Sequence, residues 1–144
     1  MDNLVFRTLN GDDWNKNYFN LLSQLTDAVE LDENTFKNLL NEIKKTSEIY
    51  VYEDIVNNKI VATAKLLIEQ KLARGGGKVG HLEDVVVDVG YRKLGLGGKL
   101  VINIIDLARQ SGCYKLIGNC TLDLIGYYEK IGFSNKGTQF AIYF

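Results

Sequence analysis

The chain has 144 residues, 46% hydrophobic and 24% charged, with a formal net charge of −1. That is enough chain for one domain with a substantial core, and its charge balance excludes a general attraction to nucleic acid or to anionic membranes. No apolar run approaches the roughly 20 residues needed to span a bilayer, and one histidine with two cysteines, Cys113 and Cys120, supplies neither a metal cluster nor a disulfide framework.

The first residues carry no basic leader followed by an apolar block, so no secretory signal is expected and the expected compartment is the cytoplasm. Residues 4–9 read as a strand, and Asn10-Gly11-Asp12-Asp13 as a turn that caps the helix after it. Trp14, Tyr18, Leu21, Leu22 and Leu25 recur at helical spacing. A second helix starts at 31–34, with Phe36, Leu39, Leu40 and Ile43 on its apolar face. Residues 49–56 and 59–69 are strands joined by a hairpin turn at Asn57-Asn58. Residues 71–78, with Gly75-Gly76-Gly77, read as a mobile loop. Residues 81–88 are a fourth strand. Leu96, Leu100, Val101, Ile104, Ile105 and Ala108 define a third helix that stops at Gly112. A fifth strand over 114–118, a fourth helix over 122–131 stopped by Gly132, and a last strand over 138–144 complete the order βααβββαβαβ. The reading is an α/β chain with a mixed sheet, a single domain over 1–144, with no repeat or linker.

The chemistry begins at Tyr91-Arg92-Lys93-Leu94-Gly95-Leu96-Gly97-Gly98, between the fourth strand and the third helix. Glycines at such a corner let backbone N–H groups approach an anion, and the helix N-terminus adds its positive end. The spacing is neither a Walker loop nor Gly-x-Gly-x-x-Gly; what remains is Arg-x-x-Gly-x-Gly, a pyrophosphate cradle at the carboxyl end of a strand that has a parallel neighbour.

That loop resembles the acetyl-coenzyme A loop of the GNAT N-acetyltransferases, and Tyr127-Tyr128-Glu129-Lys130-Ile131-Gly132-Phe133 is similar to their second signature. Gly80-His81-Leu82-Glu83-Asp84-Val85-Val86-Val87, Gly112-Cys113-Tyr114-Lys115 and residues 128–135 more narrowly resemble the glucosamine 6-phosphate N-acetyltransferases, as do Gln24-Leu25-Thr26 and Glu69-Gln70-Lys71. The likeness covers nearly the whole chain. It implies a GNAT fold and direct transfer of acetyl from acetyl-coenzyme A to an amino sugar phosphate, a step toward UDP-N-acetylglucosamine, with no metal. By resemblance, Tyr128 meets the leaving thiolate and also the coenzyme, Glu83 accepts the amine proton, and Asn119 stands where the family commonly has an aspartate. Thr26, Lys71, Arg74, Glu83, Asp84, Tyr114 and Lys115 bind the sugar phosphate. The backbone around Val85, Val86 and Val87 and the loop Arg92, Lys93, Leu94, Gly95, Leu96, Gly97 and Gly98 hold the coenzyme.

Glu83 and Asp84 are neighbours on one strand, so they point to opposite faces unless the strand bulges, as it does in the superfamily. Tyr143 replaces an arginine that fungal members use on the partner subunit's phosphate, Leu124 replaces a frequent asparagine that contacts the coenzyme, and Lys93 a frequent glycine. Tyr127 and both cysteines are expected in the core, and His81 is expected to be structural. The apolar stretch 140–144 would be exposed on a sheet edge, and pairing with a second subunit would cover it. A homodimer with sites at the subunit boundary is the expectation the resemblance supports. Two other functions compete: a GNAT acetyltransferase for another amine, such as a polyamine or protein, and a non-catalytic acetyl-coenzyme A binding module.

Overall fold

The computed structural model describes residues 3–144. Its strands are β1 (Leu4–Thr8), β2 (Ser47–Asp54), β3 (Lys59–Gln70), β4 (Lys78–Val87) and β5 (Cys113–Gly118). They form one sheet in chain order, antiparallel from β1 to β4 and parallel between β4 and β5. The helices are α1 (Tyr18–Leu22), α2 (Glu33–Ile43), a single turn α3 (Ala73–Gly76), α4 (Leu96–Gln110) and α5 (Ile125–Ile131). A parallel pair of strands requires a crossover, and α4 provides it.

Each face of the sheet has its own core. On one side Leu96, Leu100, Val101, Ile104 and Ala108 of α4 pack on Tyr52, Ala62, Ala64, Leu66 and Leu82. On the other, Tyr18 and Leu21 of α1 and Phe36 and Leu40 of α2 pack on Ile49, Val51, Ile60 and Val86. Asp32 caps α2 by accepting from Thr35 N–H at 3.1 Å. A partly buried charge cluster joins β1, β2 and the turn at 11–13. Arg7 grips the fully buried Asp13 with two hydrogen bonds of 2.7 Å, and Lys16 and Arg7 both reach Glu53. Burial pushes the Asp13 carboxyl up, but Arg7, Asn10 and Lys16 outweigh it and hold it below the ordinary carboxylate range.

Three elements differ from the sequence reading. The first helix is only Tyr18–Leu22, because Asn17 adopts a left-handed conformation with φ 65° and interrupts the 14–25 pattern. Residues 71–78 are an organised turn in which Gln70 Nε2 donates to Gly76 O at 2.6 Å and Lys71 N–H to Gly77 O at 2.9 Å. The last strand is absent: residues 138–144 pair with no strand of this chain among the described residues, and Phe140, Ile142, Tyr143 and Phe144 are exposed. Its alternation is that of a strand, but a strand needs a partner edge, and none within the described residues reaches it.

Candidate active site

The sheet opens along β4. Its last residue paired with β5 is Leu82, opposite Gly118, so residues 83–87 have no β5 strand on that side. Gly118 allows the close approach just before the opening, since a Cβ there would lie 3.1 Å from Leu82 O. On its other side β4 pairs with β3, and the register slips: Glu83 faces Lys65 and Val86 faces Thr63, leaving Asp84 and Val85 opposite Ala64. Asp84 takes φ 53° at this bulge. The extra residue reverses the alternation. Leu82 belongs to the α4 core, yet after the bulge Val85 and Val87 pack on that core while Val86 joins the α1–α2 side.

The same slip brings the adjacent carboxylates to one side. Glu83 is paired with Lys65, itself opposite Ile49 of the α1–α2 core. Asp84 lines a cleft of about 280 Å³ with Phe19, Leu22, Leu25 and Thr26. Lys65 Nζ holds Asp84 Oδ2 at 2.9 Å, a contact hidden from sequence reading because it depends on the bulge register.

Beyond β4 comes the glycine loop. Asp88 accepts from Gly90 N–H at 2.9 Å, Tyr91 hydroxyl donates to Asp54 Oδ2 at 2.6 Å, and Arg92 Nε donates to Val87 O at 3.0 Å. Lys93 (φ 66°) and Gly95 (φ 73°) turn the chain into α4. Gly95 has no side chain to cap the helix, and the first bond into it is Lys99 N–H to Gly95 O at 3.2 Å. The N–H groups of the first turn therefore point at whatever occupies the corner. With the open β4 backbone beside it, this donor set fits an extended cosubstrate carrying a pyrophosphate.

Tyr127 is not core: it is 40% exposed, and its hydroxyl lies 2.8 Å from where a Cβ on Gly97 would be. A side chain at Gly97 would therefore have to displace the neighbouring phenol. Tyr128 is half-buried, its ring edge-on to Tyr127 (centroids 5.3 Å) and Phe133 (5.6 Å). Burial pushes its phenol above the ordinary value, and neighbouring Tyr127 and Cys120 act in the same direction. Cys120 is exposed rather than core, and Cys113 is partly buried. Asn119 is exposed in the segment after β5.

The remaining candidates lie elsewhere. Arg74 and Lys115 flank the Tyr114 ring, at 4.9 Å and 5.6 Å from its centroid. Lys71 pairs with Glu69, which also holds His81 Nε2 at 2.9 Å. Lys115 sits opposite Val79, four residues along β4 from Glu83, and β4 starts at Lys78. At about 3.3 Å per residue the two groups are roughly 13–20 Å apart along the sheet. The fold brings Thr26, Glu83 and Asp84 together near the opening, and Lys71, Arg74, Tyr114 and Lys115 together at the opposite end.

The sequence profile of the acetyltransferase (GNAT) family matches residues 12–133. A probable glucosamine 6-phosphate N-acetyltransferase of Oryza sativa is 43% identical over 96% of this chain and 86% of its own length. Glucosamine 6-phosphate N-acetyltransferase 1 of Dictyostelium discoideum is 40% identical over 99% and 92%. The crystal structure of glucosamine-6-phosphate N-acetyltransferase from Arabidopsis thaliana superposes with a TM-score of 0.94 at 38% identity, covering 98% of both chains. With an opened parallel edge, a bulged fourth strand and a glycine corner on a fold this close to theirs, the chain belongs to the GNAT acetyltransferase family and, within it, groups with the glucosamine 6-phosphate N-acetyltransferases.

Proposed function

We infer that this protein transfers the acetyl group of acetyl-coenzyme A to the amine of glucosamine 6-phosphate. The observation that carries the reading is the Asp84 bulge. It places Glu83 and Asp84 on the side of the cleft that holds Thr26, and it turns the open β4 backbone toward the glycine corner.

Acetyl-coenzyme A supplies the activated acetyl thioester. Around it the chain has three tasks. The open backbone at Val85–Val87 and the first turn of α4, from Leu96 to Gly98, offer N–H donors to the acetyl carbonyl and the pyrophosphate. Arg92 braces this arrangement from Val87 O, and Lys93, Leu94 and Gly95 form the turn. Glu83 takes the proton that the amine must lose, directly or through water; Asn119 cannot, because an amide holds no proton as a base. Tyr128 meets the leaving thiolate. Its phenol is pushed above its ordinary value of 10.0, while a thiol titrates near 8.5, so it is the weaker acid. Tyr128 therefore stabilises the thiolate by donating a hydrogen bond, and the proton released by the amine completes the thiol.

Asp84 and Thr26 orient the sugar. Its phosphate needs cations, and those of the Lys71, Arg74, Tyr114 and Lys115 group lie too far along the same sheet to reach a sugar held at Asp84. One such ligand touches both groups only if a second subunit brings its own Lys71–Lys115 end to this cleft. The exposed Phe140, Ile142, Tyr143 and Phe144 supply the apolar surface for that contact, so a homodimer joined through the C-terminal segment completes the site. No described helix is long and apolar enough to cross a membrane, and a cytoplasmic enzyme suits these water-soluble substrates.

A thioester-release assay over a panel of amines tests the reading. Turnover on glucosamine 6-phosphate should exceed that on glucosamine, polyamines and peptide amines. Turnover on another amine with none on glucosamine 6-phosphate would sink it, and coenzyme binding without any acetylation would favour a binding module. Sedimentation tests the assembly: Phe140→Asp/Ile142→Asp should yield monomers that keep coenzyme affinity and lose turnover.

A further inference from the structure

Gln24 lies in the turn after α1, two residues before Thr26 of the acceptor cleft. Its side chain reaches across to the segment that leads into the glycine loop. Oε1 accepts from Val89 N–H at 2.8 Å, and Nε2 donates to Asp88 Oδ2 at 3.3 Å. Asp88 is 4% exposed and is the hub of that segment. Besides Gln24 it holds Lys59 Nζ at 2.9 Å and Gly90 N–H at 2.9 Å, and its own N–H bonds Val61 O at 2.8 Å. Val87, one residue earlier, is the carbonyl on which Arg92 rests.

One amide thus joins the turn that carries Thr26 to the start of the coenzyme loop. On the acceptor side, the backbone bonds of the turn among the described residues are local: Gln24 N–H to Leu21 O at 3.1 Å, Leu25 N–H to Leu22 O at 2.9 Å and Thr26 N–H to Leu22 O at 3.1 Å. The cleft floor there is Phe19, Leu22 and Leu25, apolar contacts that allow sliding. Val89 is 68% exposed, so little apolar packing fixes its backbone; the hydrogen bonds of Asp88 hold the chain on either side, and Val89 N–H itself donates to Gln24 Oε1.

We propose that Gln24 is a positioning residue that couples the acceptor cleft to the coenzyme loop. Occupation of the cleft fixes the Thr26 turn, and Gln24 passes that order to Val89 and so to the loop of Arg92 to Gly98. By reciprocity, coenzyme bound at the loop orders the acceptor turn, and each ligand tightens the other. The proposal rests on the acetyltransferase reading for the identity of the two ligands.

The test uses the full chain and Gln24→Leu, with Gln24→Ala as a second variant in case the first folds poorly. Coenzyme A is titrated by calorimetry, alone and with saturating N-acetylglucosamine 6-phosphate. The wild type should bind coenzyme A several-fold tighter with the sugar phosphate present. In the variants that ratio should fall to one, at a melting temperature unchanged from wild type. Amide hydrogen exchange at 89–95, measured without any ligand, should accelerate in the variants, while exchange in β4 stays unchanged. The same ratio in wild type and variants would overturn the proposal, as would unchanged exchange. If the sugar phosphate fails to bind the wild type, the acceptor assignment falls instead. Gln24 is then judged by coenzyme A alone: weaker binding with faster exchange supports it, and unaltered affinity overturns it.

Discussion

The two ends of the sheet are built to different standards. At the β1–β3 end the charged groups are paired: Arg7, Asp13, Lys16 and Glu53 close on one another, and Asp54 gathers Tyr91, Asn57 and Val56 N–H. At the β4–β5 end much is left open. Residues 83–87 lack a β5 partner, Asp84, Lys93 and Gly95 carry positive φ, and large apolar side chains at the C-terminus are bare. Positive φ also occurs at Asn17 and Asn58, but only at the open end does it coincide with a strand edge left unpaired by β5, where a ligand can use the free backbone.

Substitutions at either end should therefore separate activity from stability. Tyr128→Phe should have the largest effect. Turnover should fall by about 10²–10³-fold, the usual range for losing one positioned hydrogen-bond donor to developing negative charge, with melting temperature and coenzyme affinity retained. A fall in both would mean that the ring, not the hydroxyl, is what matters. Asp13→Ala is its mirror at the finished end. It removes the fully buried carboxylate, leaves Arg7 and Lys16 sharing Glu53 alone, and should cost about 3 kcal/mol in chemical denaturation, with turnover per folded molecule intact.

Gly97→Ala probes the border between the ends. The added methyl would collide with the Tyr127 hydroxyl, so KM for acetyl-coenzyme A should rise several-fold. Tyr127→Phe in the same chain should restore much of it. If the double variant is no better than Gly97→Ala alone, the ligand and not the phenol demands the glycine.

The smallest effect is a pH dependence. The Tyr91 hydroxyl, then the Asn57 side chain and backbone, bring the Asp54 carboxyl down to about 2 from 3.8. A carboxyl lowered in the folded state adds stability above its unfolded value, near 3.9. That stability drains away as pH falls from about 4 toward 2. Tyr91→Phe should therefore melt lower than wild type at neutral pH, and the gap should narrow across that acid window. A constant gap would assign the loss to packing instead.

Much of the closed end and the loop was legible in one dimension. Alternation marked β3, 3.6-residue spacing marked α2 and α4, and the glycine spacing marked the corner, because each signal is set by neighbours in sequence. Tyr127 was misread for the opposite reason. Periodicity reports which face of a helix a residue occupies, but not that the turn opposite it is a glycine with room for a phenol. The 138–144 strand failed similarly: its pattern is local, its partner edge is not.

By itself the sequence determined the element order, the apolar faces, the glycine corner and, through resemblance, the family and its carboxylate pair. These arise from local sterics and side-chain chemistry, which do not depend on distant contacts. Only the tertiary structure decided that a one-residue slip against β3 turns Glu83 and Asp84 to one side. It also decided that Lys65 holds Asp84, that Gln24 reaches the segment leading into the glycine loop, and that Lys71, Arg74, Tyr114 and Lys115 gather at the far end of the sheet. Register and strand separation are properties of pairs of segments far apart in the chain, so no spacing within one segment encodes them.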